Sequence, residues 1–238
     1  MGTKAKFRDD AYATNCEAVV TALSDRGGIV LNQTVFYPTG GGQPGDYGVL
    51  LLKSGEEIRI ATAVKDNLSN DIIHIPEEGQ TLPQLDAVVT AEIDWPHRHR
   101  LMRMHTCLHL LSAVLPYPVT GGQVGPDRGR LDFDIPDAGL DKDQINADLN
   151  RLVCSDTPVQ AEWITDAELD ANPDLVKTMS VQPPRGTGHV RLIRVGELDV
   201  QPCGGTHVKC TGEIGPVRVT KIQKKGRQNR RVSIELCE

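Results

Sequence analysis

Up to about residue 93 the apolar positions come in short aliphatic or β-branched runs. They read CEAVVTAL (16–23), GGIVLN (27–32), TVFYP (34–38), GVLLLK (48–53), EEIRIATAV (56–64), IIHI (72–75) and AVVTAEIDW (87–95). Turn formers separate them at 25–28, 39–46, 54–55 and 66–70. Runs of this length, bounded in this way, predict strands. Many short strands in succession predict a small β-barrel-like domain over 1–93.

The periodicity changes at Asp94. From 94 to 116 the apolar residues Leu101, Met104, Leu108, Leu111 and Leu115 recur at spacings of three and four, which predicts a helix of about five turns. Pro96 suits its first turn, and Pro116 ends it. A second helix is expected over 141–154, with Asp141 as its cap and Ile145, Leu149 and Leu152 as its apolar stripe. Strands are expected at 158–164, 189–195, 215–223 and 230–236, and a short helix followed by a loop at 166–188. The expected fold class is therefore α+β, with 1–93 all-β and 94–238 mixed.

Composition narrows the setting. The chain has 238 residues, and no apolar run approaches the ~20 residues of a membrane helix. The first twenty residues lack an apolar stretch with a cleavage site. The MG start carries Lys6 where a myristoylation signal needs Ser or Thr. Six cysteines without a CxxC pair suit a reducing compartment. A cytoplasmic protein without membrane association is expected.

The net charge is −6, which argues against wholesale nucleic-acid binding. Its distribution is uneven. The stretch 221–231 holds six basic residues and no acid, and 97–103 holds three arginines and two histidines. Lys221, Lys224, Lys225, Arg227, Arg230 and Arg231, with Arg98 and Arg103, are candidates for a phosphate footprint on an otherwise acidic protein. Solvated strand and helix faces are the plainer alternative.

The strongest chemical signal is HTCLH (105–109). On a helix, His105 and His109 share one face. The spacing matches that of thermolysin-type zinc sites, but Thr106 replaces the glutamate general base. A second pair, Cys203 and His207, lies in QPCGGTHVKC (201–210), where Gly204 and Gly205 favour a tight loop with left-handed torsions over a helix. Two imidazoles from a helix and a thiolate and imidazole from a loop form a His3Cys set, which suits tetrahedral zinc. Cys107 points to another helix face and is read as core. Cys210 is an alternate ligand. A cysteine hydrolase, with Cys203 as nucleophile and His207 as base, is a competing reading.

These motifs, RMHTCLHLLSA followed by QPCGGTHV, together with TVFYPTGGGQPGDYG (34–48) and GGQVGPDRGRLDF (121–133), resemble the editing domain of alanyl-tRNA synthetases and the free-standing AlaX trans-editing proteins. The likeness spans nearly the whole chain and matches the intermediate-length form. It implies a zinc site at His105, His109, Cys203 and His207, and a substrate, tRNA(Ala) mischarged with serine or glycine. It further implies hydrolysis of the aminoacyl ester, with Thr34, Gly41, Gly42 and Gln43 as substrate contacts and the active site between the two domains. Editing is needed because an alanine pocket excludes neither glycine nor serine strongly. A polar partner for the seryl hydroxyl would spare alanine by roughly 1–3 kcal/mol. The catalytic base is left unassigned. A zinc-stabilised RNA-binding module without turnover is the alternative.

Overall fold

The computed structural model describes residues 2–24, 27–66, 68–136, 139–179 and 188–237. The chain divides into two compact units, Met1–His99 and Arg100–Glu238.

The first unit contains β1 (Lys4–Ala5), β2 (Asn15–Leu23), β3 (Ile29–Leu31), β4 (Gln33–Thr34), β5 (Gly48–Leu52), β6 (Glu57–Lys65), β7 (Ile72–Pro76) and β8 (Val88–Ile93). Six of them close a barrel in the order β2-β3-β7-β6-β5-β8, every neighbouring pair antiparallel. Closure leaves no edge strand within the barrel. Side-chain alternation sets the interior. In β6, Ile58 and Ile60 point inward while Glu57 and Arg59 face solvent. A register shift between Ile60 and Thr62 then turns Ala63 to the same interior. Val20, Ile29, Leu31, Leu50, Val89 and Ala91 complete the lining, each large aliphatic contributing about 1.5–3 kcal/mol of burial.

One expected strand is mostly absent. Only Thr34 of TVFYP is in a strand, and 35–38 run as irregular backbone. Their side chains are nonetheless interior: Val35 and Phe36 have no exposure and Tyr37 only 5%. Buried irregular backbone needs partners for its polar groups, and buried side chains supply them. Asp46 accepts from the Tyr37 N–H at 2.6 Å, and Thr34 Oγ1 accepts from the Phe36 N–H at 3.1 Å. Arg98 donates to the Val35 carbonyl at 2.7 Å. Arg98 also forms a wholly buried ion pair with Asp46. The following glycine turn needs its glycines. Gly41 and Gly42 have φ of 57° and 82°, and a Cβ on Gly45 would lie 2.2 Å from the Ala63 carbonyl oxygen.

Helix α1 (Trp95–Val114) begins in the first unit and continues in the second. Asp94 starts it: its carboxylate accepts from the His97 N–H at 2.8 Å and its carbonyl from the Arg98 N–H. The predicted stripe is buried, as are Met102, Thr106, Cys107 and Leu110.

The second unit adds β9 (Val119–Gln123), β10 (Arg128–Asp134), α2 (Lys142–Cys154), β11 (Val159–Thr165), α3 (Asp166–Ala171), β12 (His189–Val195), β13 (Asp199–Pro202), β14 (Val217–Lys224) and β15 (Asn229–Leu236). They form a sheet ordered β14-β15-β10-β9 and another ordered β11-β12-β13. Helix α2 is capped by Asp141 and buries Ile145, Leu149, Leu152 and Val153. It is tied to β14 by Asn150, which exchanges two hydrogen bonds with the Val217 backbone, and by Asn146, which accepts from the Val219 N–H.

The sequence pattern missed β9, β10 and β13. Gly121 and Gly122 disguise β9, and charged residues alternate with the apolar ones in β10. Strand β13 is short and hides two polar residues. The helix expected after 166 is α3, held by a Thr165–Glu168 capping box. Residues 180–187 of the expected loop, 25 and 26 of one expected turn and 67 of another lie outside the described residues. Among the described residues no helix is long and apolar enough to cross a membrane.

Candidate metal centre

Helix α1 places His105 and His109 one turn apart, with ring centroids 5.5 Å from each other. The loop after β13 brings Cys203 and His207 to the same point. Cys203 Sγ lies 3.5 Å from His105 Nε2 and 3.3 Å from His207 Nε2. The four donor atoms, one from each residue, all lie within 4.8 Å of one another. This group could hold a metal ion, and its soft sulfur with three imidazoles fits a borderline dication.

The loop is non-helical, as its glycines suggest, but for another reason. Neither Gly204 nor Gly205 is among the residues with positive φ. Instead Gly205 presents its N–H to Cys203 Sγ at 3.4 Å. Arg191 on β12 pins the turn by donating from Nη1 to the carbonyls of Cys203 (3.0 Å) and Gly205 (2.9 Å).

Two residues that sequence reasoning gave no role sit behind the rings. Asp199 Oδ2 lies 2.9 Å from His109 Nδ1. Gln201 donates to the same oxygen at 2.7 Å and to Ser112 Oγ at 3.0 Å. Thr106 Oγ1 lies 3.1 Å from His207 Nδ1 and accepts from the Val208 N–H at 3.3 Å. The position that carries a general base in thermolysin-type sites here braces a histidine of the other pair. The available signal was the alternation in DVQP, which puts Asp199 and Gln201 on one face of β13. That face is recognisable as buried only once the sheet is built.

Electrostatics favour a cation. Burial pushes the Cys203 thiol up, but His105 and His207 beside it and hydrogen bonds with the histidines bring it well below its ordinary value. Burial lowers His109, yet its bonds to Asp199 and Cys203 outweigh that and hold it at about 9. Burial and the neighbouring His105 lower His207 to about 3. An ion would displace the proton from His109.

Residues 190–233, which include Cys203 and His207, match the threonyl and alanyl tRNA synthetase second additional domain. Residues 4–97 match the class II (A) tRNA synthetases. An alanyl-tRNA editing protein AlaX-M from Methanosarcina acetivorans is 33% identical, covering 99% of this chain and 100% of its own. The chain belongs to the AlaX alanyl-tRNA editing family. The AlaX-M protein of Methanosarcina barkeri is 34% identical over 99% of this chain and 100% of its own. An alanine–tRNA ligase from Pyrobaculum neutrophilum is 33% identical over 93% of this chain but only 25% of its own length.

In this AlaX-family chain the other expected site residues fall in distinct places. Gly41 and Gly42 are exposed on the glycine turn. Thr34 and Gln43 are buried, with 0% and 1% exposure. The Thr34 hydroxyl is committed: His74 Nδ1 bonds the Ile29 carbonyl at 3.0 Å, so its Nε2 accepts from Thr34 Oγ1 at 2.8 Å. Both side chains are buried, and Thr34 is bonded to His74 in the first unit.

Arg98 is the clearest correction. Expected to face phosphate, it has no exposure and is held by Asp46. Arg103 donates to the Ile214 carbonyl at 2.9 Å. Arg231 is neutralised by Asp132 through two 2.7 Å contacts. Arg230 is half-buried and bonds backbone carbonyls. Lys221, Lys224, Lys225 and Arg227 remain solvent-exposed on β14 and the turn to β15. Cys107 is buried with its thiol pushed up to about 12. Cys210 is not in the donor group; it faces Glu213.

Proposed function

We propose that this protein hydrolyses tRNA(Ala) mischarged with serine or glycine, acting on the free aminoacyl-tRNA, with zinc held by His105, His109, Cys203 and His207. The observation carrying this reading is the convergence of four soft and borderline donors from two distant segments, in a chain of the AlaX family. Bound zinc would supply Lewis acidity toward the ester or its attacking water. Water adds to the ester carbonyl, the acyl–oxygen bond breaks, and the ribose hydroxyl leaves with a proton. An aminoacyl ester is already activated, so positioning carries much of the rate. Thr106 takes no part in proton transfer, since its oxygen serves His207 and Val208. The exposed Gly41 and Gly42 are our candidates for close backbone approach to the aminoacyl end. Gln43 closes that turn through its backbone bonds with Gly40, and Thr34 and Gln43 remain our candidates for shaping the substrate-facing segment.

We assign phosphate contact to Lys221, Lys224, Lys225 and Arg227, whose exposure and lack of acidic neighbours in sequence suit it. Cytoplasmic action follows from such a substrate.

The cysteine-hydrolase reading has one observation in its favour, the 3.3 Å approach of Cys203 to His207. The deciding experiment is deacylation of Ser-, Gly- and Ala-tRNA(Ala) by zinc-loaded protein, with and without chelator. Our reading expects the serine or glycine ester to be lost, the alanine ester spared, and activity abolished by chelation. Survival of both mischarged esters would leave a zinc-stabilised RNA-binding module. Activity that persists after complete metal removal would favour the cysteine mechanism.

A further inference from the structure

The two histidines braced from behind come from different donor pairs. His109 belongs to α1 and is braced by Asp199 of β13; His207 belongs to the loop and is braced by Thr106 of α1. The helix thus holds a ring of the loop, and the strand that leads into the loop holds a ring of the helix. In both rings the braced atom is Nδ1, and His207 Nε2 is the nitrogen that faces Cys203 Sγ.

We infer that Asp199 and Thr106 are positioning residues, Asp199 fixing the tautomer of His109 and Thr106 the orientation of the His207 ring, and that they set the metal affinity of the donor group. This rests on the metal reading above but not on catalytic turnover.

The hydrogen-bond inventory supports the roles. Asp199 can only accept when ionised, so His109 Nδ1 carries the proton that it shares with Oδ2; Gln201 Nε2, also 3.1 Å from Nδ1, gives its two protons to Oδ2 and to Ser112 Oγ. Asp199 is itself immobilised: Oδ2 also accepts from Gln201, and Oδ1 accepts from Lys177 Nζ at 2.5 Å. Its side chain has no exposure. A fixed, charged acceptor behind a ligating imidazole orients the ring and makes its other nitrogen a stronger donor. The second brace is weaker and neutral. Thr106 Oγ1 also accepts from the Val208 N–H, one residue past His207, so one hydroxyl holds both the loop backbone and the orientation of the ring.

Zinc affinity, measured by competition with a chromogenic chelator on full-length protein, tests this. Asp199→Asn keeps the shape and removes the charge; we expect affinity about 10–100-fold weaker. Thr106→Val should weaken it by a smaller factor, and Thr106→Ser should restore it. Cobalt-loaded Asp199→Asn should also show a shifted ligand-field absorption, which a merely structural residue would not produce. Should Asp199→Asn fail to fold by circular dichroism, Asp199→Glu, which retains a carboxylate, replaces it and should bind more weakly than wild type through misplacement. Affinities within threefold of wild type for both the Asp199 and Thr106→Val variants, with an unchanged cobalt spectrum, would overturn the inference. Wild-type protein that binds zinc but spares every ester would overturn the functional reading and leave this one standing.

Discussion

Buried polar residues decide more in this molecule than their number suggests. Arg98 lies in a stretch that reads as a basic patch, yet it answers the Asp46 carboxylate and the Val35 carbonyl inside the first unit. Removing one partner of a buried ion pair leaves the other uncompensated, which costs about 3–5 kcal/mol. Arg98→Met should therefore lower the unfolding free energy obtained from urea titration by an amount of that order, with no direct effect on phosphate affinity. His74 offers a test of the opposite kind. Burial lowers its pKa from 6.5 to about 4. Between those values the unfolded chain binds a proton that the folded chain refuses, so stability falls as pH drops from about 6.5 toward 4. The shift corresponds to about 3 kcal/mol at its limit. In urea titrations at pH 7 and pH 4.5, His74→Gln should lose less stability on acidification than wild type. An equal loss in both would show that His74 is not the group responsible.

At the scale of elements, the sequence pattern located both long helices because their signals are local. The Asp141 cap accepts from the N–H groups of Asp143 and Gln144, as its position before the apolar stripe implies. Asp141→Ala should cost about 1 kcal/mol of global stability, measured by denaturant unfolding. The pattern failed where an element's context is tertiary. TVFYP is apolar and β-branched, but the chain there is held by side chains of Asp46, Arg98 and Thr34 instead of by a ladder. Strand β13 carries Asp199 and Gln201 at inward positions, so its alternation looks reversed until the donor group is seen behind it. Among the basic residues of β14 and β15, only pairing reveals that Arg231 meets Asp132 across the sheet.

At the scale of the whole molecule, metal and nucleic acid give separable readouts. A bound metal would compete with protons at its ligands, Cys203 and His109 among them, so affinity should fall as pH is lowered. Burial lowers the His109 pKa, but its bonds to Asp199 and Cys203 raise it to about 9, so metal binding at neutral pH should release a proton there. Calorimetry in buffers of different ionisation enthalpy should record proton release. Chelation should lower the thermal midpoint, by an amount that depends on free metal concentration. Charge reversal of the exposed Lys224 and Lys225 should weaken tRNA binding and reduce the slope of log affinity against log salt by about two phosphate contacts. An unchanged slope would remove this hairpin from the interface.

The sequence by itself determined the fold class, the two helices, most strands and the four-residue donor set. These depend on periodicity, caps and motif spacing, all of which act over a few residues or are carried whole in a short motif. Tertiary structure alone decided which polar residues face inward: that Arg98 braces irregular backbone, that Thr34 gives its hydroxyl to His74, and that Asp199 and Thr106 stand behind His109 and His207. A charge or hydroxyl has the same identity in water and in a core. What it does depends on which distant group lies within about 3 Å, and that separation is fixed only when the sheets and the long helix have packed.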